Sequence, residues 1–118
     1  MATVLLVDDD AAVQQIIEQV LTENGHRVIT AASADDAMRA LSGDASIDLL
    51  VTDIVLPGVD GFALAIEAKR VRPALRLLYI SGFFDPALLV AQQPQGPILR
   101  KPFQVRRLLE AVGEVLET

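Results

Sequence analysis

Two rhythms of apolar residues alternate along the chain. Strand-like runs at Val4–Val7, Arg27–Ala31, Asp48–Thr52, Arg76–Ile80 and Pro97–Leu99 are separated by stretches with helical spacing. Short runs of this kind, bounded by turn residues, suit strands buried on both faces. Between the first two, Ala12–Glu23 places Val13, Ile16, Ile17, Val20 and Leu21 on one helical face, and Asn24-Gly25 stops that helix because glycine accepts the left-handed C-terminal conformation. Ser33 caps a second helix whose first turn carries Asp35 and Asp36, where the helix dipole favours anions. Asp60–Val71 reads as a third helix with Asp60 as its cap. Asp85-Pro86 opens a short fourth, which Pro94, Gly96 and Pro97 interrupt within about two turns. The last helix runs from Gln104 to the end, burying Val105, Leu108, Leu109, Val112 and Leu116.

Five strands alternating with five helices predict an α/β fold. The sheet is doubly wound and parallel, has helices on both faces and is joined by right-handed crossovers. The 118 residues contain no repeat, linker or low-complexity tract, so residues 1–118 read as one domain.

The polar residues that end these runs carry the chemistry. Asp8, Asp9 and Asp10 follow the first run, Asp53 the third, Ser81 the fourth and Lys101-Pro102 the fifth. Parallel strands all point one way, so these ends gather at one sheet edge, where open α/β folds build their sites. Carboxylates, a hydroxyl and an ammonium meeting there suit metal-assisted phosphoryl chemistry.

Composition narrows the classes. Apolar residues make up 52% of the chain, enough for a packed core, and the net charge of −6 argues against direct nucleic-acid binding. The one local basic cluster, Arg100, Lys101, Arg106 and Arg107, suits a helix end and a site better than a duplex. Cysteine is absent, and no run approaches the ~18 apolar residues of a membrane span. No signal-like segment precedes the first strand, which is compatible with a cytoplasmic protein without membrane contact. His26 is the only histidine and reads as a surface or strand-edge residue. Val7-Asp8-Asp9-Asp10 offers no glycine-rich loop for a dinucleotide.

Together, Leu5-Leu6-Val7-Asp8-Asp9-Asp10, Asp53-Ile54-Val55-Leu56-Pro57-Gly58-Val59-Asp60-Gly61, Ile80-Ser81-Gly82 and Lys101-Pro102-Phe103 resemble the receiver domains of two-component response regulators. The resemblance spans the whole chain. It implies a flavodoxin-like sheet of order 2-1-3-4-5 and a phosphoryl group taken from a partner's phosphohistidine with Mg²⁺. Asp53 would be the acceptor, Asp8 and Asp9 the acidic pair, Ser81 the switch hydroxyl and Lys101 the lysine of the site. Asp9 and Asp53 would bind Mg²⁺ directly, Asp8 through a water and Val55 through its backbone carbonyl. The resemblance also implies a cis bond between Lys101 and Pro102. Partners would be a sensor histidine kinase or a histidine phosphotransfer protein, and a downstream protein that reads the modified state. The protein would be a phosphoacceptor that takes part in its own phosphorylation and dephosphorylation rather than an enzyme.

The sequence departs from the family pattern at Ile98, where most receivers carry an aromatic ring three positions before the lysine. Coupling from Ser81 to the face built from the fourth helix, fifth strand and last helix is therefore expected to differ. Val55 and Phe83 flank the reactive loops without polar side chains, which predicts slow loss of the phosphoryl group. With no effector segment after Thr118, output is expected through protein contacts. The chain also looks like stand-alone receivers of the CpdR type, which act as phosphorylation-controlled adaptors for a bacterial protease. Alternatives are the receiver of a hybrid histidine kinase and a phosphorylation-independent adaptor. An Asp-nucleophile phosphohydrolase ranks below them, since Val55 stands where such hydrolases place a general acid.

Overall fold

The computed structural model describes residues 2–82 and 94–117. Its elements are β1 (Thr3–Val7), α1 (Ala11–Glu23), β2 (Arg27–Ala31), α2 (Ala34–Leu41), β3 (Leu49–Asp53), α3 (Gly61–Val71), β4 (Arg76–Ser81), β5 (Ile98–Arg100) and α4 (Val105–Glu117). The helix expected from Asp85-Pro86 lies outside the described residues. All strand pairs are parallel, and the sheet order is β2-β1-β3-β4-β5.

Strand alternation builds two cores, one on each face of the sheet. Val4, Leu6, Leu49, Val51, Leu78 and Ile80 pack with Ile17 and Leu21 of α1 and Leu108 and Val112 of α4. Leu5, Val7, Leu50, Leu77 and Tyr79 pack on the other face with Ala37 and Leu41 of α2 and Phe62, Ala65 and Ala68 of α3. Near-continuous apolar strands are the consequence, because both side-chain rows must leave water.

The helix ends form where the sequence places capping residues. Asp10 Oδ1 accepts the N–H groups of Ala12 and Val13, Ser33 Oγ that of Asp36, and Asp60 Oδ1 that of Ala63. At the end of α1, Gly25 takes φ +88°, and the N–H groups of Gly25 and His26 reach back to the carbonyls of Thr22 and Leu21. That pair of bonds closes the helix by the expected left-handed glycine route.

Two sets of expectations are corrected. Ile16 and Val105, assigned to buried helix faces, are 59% and 50% exposed. The contact stripe of α1 is centred on Ile17 and Leu21, which puts Ile16 well around the helix from the sheet. Val105 is the first residue of its helix, a turn before the buried Leu108. The third, fourth and fifth strands also each end one residue later than expected. Asp53 pairs with Ile80, and the Lys101 N–H donates to the Ser81 carbonyl at 2.8 Å. The ladder is made by backbone groups, so a polar side chain does not end it.

The approach to β5 is strapped to β4. Tyr79 is fully buried, its ring 5.0 Å from that of Phe62, and its hydroxyl accepts the Gln95 N–H at 2.9 Å. No helix among the described residues is long and apolar enough to cross a membrane.

Candidate functional site

At the C-terminal edge of the sheet the ends of β1, β3, β4 and β5 converge. Asp8 and Asp9 follow β1, Asp53 is the last residue of β3, Ser81 the last of β4, and Lys101 follows β5. Lys101 Nζ stands 3.1 Å from Asp53 Oδ2 and 3.2 Å from Asp8 Oδ2. The peptide bond between Lys101 and Pro102 is cis.

Each carboxylate is held a second time by backbone. Asp53 Oδ1 accepts the Val55 N–H at 3.2 Å, and Asp8 Oδ1 accepts the Asp10 N–H at 2.9 Å. Asp8, Asp53 and Ser81 are buried, while Asp9 is exposed at the mouth of the pocket. One oxygen from each of Asp8, Asp9 and Asp53 can be chosen so that all lie within 4.8 Å of one another. Three hard oxygen donors, only partly balanced by one ammonium, fit Mg²⁺, which binds through one or two carboxylates and keeps several waters.

Burial raises the pKa of Asp8, against the opposing pull of the Asp10 N–H and Lys101. Burial also acts to lower that of Lys101, but the hydrogen bonds and charges of Asp53 and Asp8 outweigh it and hold the ammonium above its ordinary value. Lys101 is therefore a fixed positive charge at neutral pH.

The remaining expected residues take varied positions. Val55 forms an isolated antiparallel bridge with Asp60, and its side chain is 64% exposed beside Asp53. Ile98 packs against the core cluster that contains Tyr79, its register partner on β4. Phe83 lies outside the described residues. Gly61 lies in close approach to β3: a Cβ there would overlap the Asp53 carbonyl oxygen. His26 is partly exposed, and its Nδ1 accepts the Ala2 N–H at 3.2 Å.

Two residues near the site escape the sequence reading. The buried Thr52 hydroxyl donates to the Asp53 carbonyl at 3.0 Å. Gln14 Nε2 donates to the carbonyls of Ala31 and Asp8 at 2.9 and 3.2 Å. A signal for Gln14 existed, since it lies on the same helix stripe as Ile17 and Leu21, within about 40° of its centre. Thr52 has no such signal, because threonine is common in strands.

An open parallel α/β sheet with an acidic, lysine-bearing pocket at its C-terminal edge defines a class able to manage phosphoryl charge. Residues 4–113 match the family model described as "Response regulator receiver domain". The chain is 33% identical over 119 residues to the DNA-binding transcriptional regulator NtrC of Azospirillum brasilense, with 99% of this chain and 24% of that protein covered. It is 36% identical over 122 residues to the sensor kinase CckA of Brucella abortus, with 98% of this chain and 13% of that protein covered. The chain thus spans a quarter or less of these two curated relatives. Its fold superposes on a response regulator receiver protein from Sinorhizobium medicae with a TM-score of 0.89 and 33% identity, covering 99% of this chain and 95% of that one. The chain belongs to the response regulator receiver domain family, the phosphoacceptor modules of two-component signalling.

Proposed function

We propose that Asp53 accepts a phosphoryl group from the phosphohistidine of a sensor histidine kinase or a histidine phosphotransfer protein. Mg²⁺ would be held directly by Asp9 and Asp53, through a water by Asp8, and by the Val55 carbonyl. The observation that carries this reading is the double contact of Lys101 with Asp53 and Asp8, beside a third carboxylate at metal-binding spacing.

In the reaction, an Asp53 oxygen forms a bond to phosphorus as the phosphorus–nitrogen bond of the donor breaks, and the imidazole leaves with the electron pair. The Val55 N–H and Lys101 hold the two Asp53 oxygens before attack, so the nucleophile is oriented in advance. As the carboxylate becomes an acyl phosphate, Lys101 transfers its hydrogen bond to a phosphoryl oxygen. Ser81 supplies a further donor once its hydroxyl, fully buried in this state, turns toward the phosphoryl group. Mg²⁺, when bound, offsets the repulsion between the carboxylates and the incoming anion.

Apolar side chains border this pocket. Val13, Ile16, Pro102 and Phe103 line a cavity of about 560 Å³ that reaches Lys101, a surface suited to the docking of the phosphoryl donor. The exposed, apolar Val55 offers no hydrogen bond to an attacking water, which supports slow loss of the phosphoryl group. With Ile98 in place of a movable ring, coupling from Ser81 to a downstream protein partner would differ from the family pattern. A cytoplasmic location fits this reading.

The test is intact-protein mass after incubation with acetyl phosphate, with and without Mg²⁺. A single Mg²⁺-dependent phosphoryl addition supports the reading. Repeated turnover of acetyl phosphate, with no modified protein at any time, would favour a hydrolase.

A further inference from the structure

We propose that Gln14 is a positioning residue for the acidic pocket, a role that rests on the reading of that pocket as a Mg²⁺ and phosphoryl site. Its carboxamide holds the Asp8 peptide and thereby sets where Asp8 and Asp9 present their oxygens.

The geometry is a closed set of hydrogen bonds between three elements. The Asp8 N–H donates to the Ala31 carbonyl at 3.2 Å, at the end of β2. Gln14 Nε2, reaching from α1, donates to that same Ala31 carbonyl and to the Asp8 carbonyl. Both ends of the Asp8 residue are therefore tied to the end of β2, one directly and one through Gln14. Because both partners are carbonyl oxygens, only the NH₂ group of Gln14 can face them, which fixes the orientation of the amide.

Gln14 is itself held from the pocket side. Its backbone N–H donates to the Asp10 carbonyl at 3.0 Å, while the Asp10 N–H donates to Asp8 Oδ1. Asp8, Asp9 and Asp10 thus form a loop pinned at both ends, with Asp9 between two fixed residues. Asp9 is exposed, so packing does little to hold its carboxylate, and the backbone on either side must place it. Without the carboxamide, the Asp8 carbonyl loses the bond that stops the Asp8–Asp9 peptide from rotating. Spacing between the carboxylates then becomes variable, and a cation that demands near-ideal geometry responds strongly to this.

The test compares the full chain with Gln14→Met, which has similar length and no donor. Mg²⁺ alone is titrated by calorimetry under conditions where urea unfolding shows both proteins to be folded. The expected result is Mg²⁺ binding about tenfold weaker in Gln14→Met, the usual scale for losing a group that orients a metal ligand. Should Gln14→Met fail to fold, Gln14→Ser, too short to reach either carbonyl, carries the same measurement and the same expectation. Unchanged Mg²⁺ affinity in the folded variant, with or without a lower unfolding midpoint, would overturn the positioning role and leave the proposed function standing. Absence of Mg²⁺ binding in the unaltered protein would overturn both.

Discussion

Lys101 Nζ lies 3.1 Å from Asp53 Oδ2, joining residues 48 positions apart in sequence. The same ammonium contacts Asp8, so one cation is shared by two buried carboxylates. Removing it takes away the ammonium that would meet a phosphoryl oxygen. Lys101→Met is expected to slow phosphoryl incorporation from acetyl phosphate by about 10²-fold, the scale seen when one preorganised donor is lost from a reacting oxyanion. Rates from intact-mass time courses provide the check.

Gly61 is required for space rather than for an unusual backbone angle. A Cβ at this position would overlap the carbonyl oxygen of Asp53 itself. Gly61→Ala should destabilise the domain by about 1–3 kcal/mol, as overpacking does, and should lower phosphoryl incorporation by displacing Asp53. A urea midpoint equal to that of the unaltered protein would contradict the close approach.

Tyr79 links stability to alkaline pH. Its hydroxyl accepts the Gln95 N–H, and burial raises its pKa above the ordinary 10.0. The folded state therefore favours the neutral phenol. Its contribution is complete below pH 10 and is lost as pH rises through the folded pKa. Tyr79→Phe should lose about 1 kcal/mol at neutral pH and show a shallower decline in urea midpoint above pH 10.

His26 acts at the opposite end of the pH scale. Its Nδ1 accepts the Ala2 N–H, and burial, aided by the charge of the amino terminus, lowers its pKa from 6.5. The unfolded chain then binds the proton more readily than the folded one. Stability contributed by this residue is present above pH 6.5 and lost as pH falls from 6.5 through the lower folded value. His26→Gln should flatten the urea midpoint across that window; an unchanged slope would contradict the assignment.

Much of the architecture is legible in the sequence because few forces compete in it. Val4, Leu5, Leu6 and Val7 are all buried, on alternating faces, so the continuous run states directly that both faces are covered. Asp10, Ser33 and Asp60 are short acceptors before helical spacing, and all three serve as caps. Strand ends are less legible, since Asp53 and Ser81 carry polar side chains on backbone that still belongs to the ladder. Ile16 and Val105 mislead for a different reason. Helical spacing marks apolar residues but not which part of the stripe faces the sheet, and both stand exposed, Ile16 beside the cavity that reaches Lys101.

The candidate site divides in the same way. Asp8, Asp9, Asp53 and Lys101 are legible because strand direction alone brings their positions to one edge. Gln14 is not, because its partners are the carbonyls of Asp8 and Ala31, and a carbonyl leaves no mark in the residue type. Its helical phase beside Ile17 and Leu21 was the one clue that it faces inward.

The most direct test of the central claim is to locate the phosphoryl group. Protein treated with acetyl phosphate and Mg²⁺ is reduced with borohydride, which converts an aspartyl phosphate to homoserine, and is then sequenced by peptide mass spectrometry. Conversion at Asp53 alone, absent in Asp53→Asn, is the predicted result. Conversion at Asp8 or Asp9 in the unaltered protein, with Asp53 intact, would contradict it.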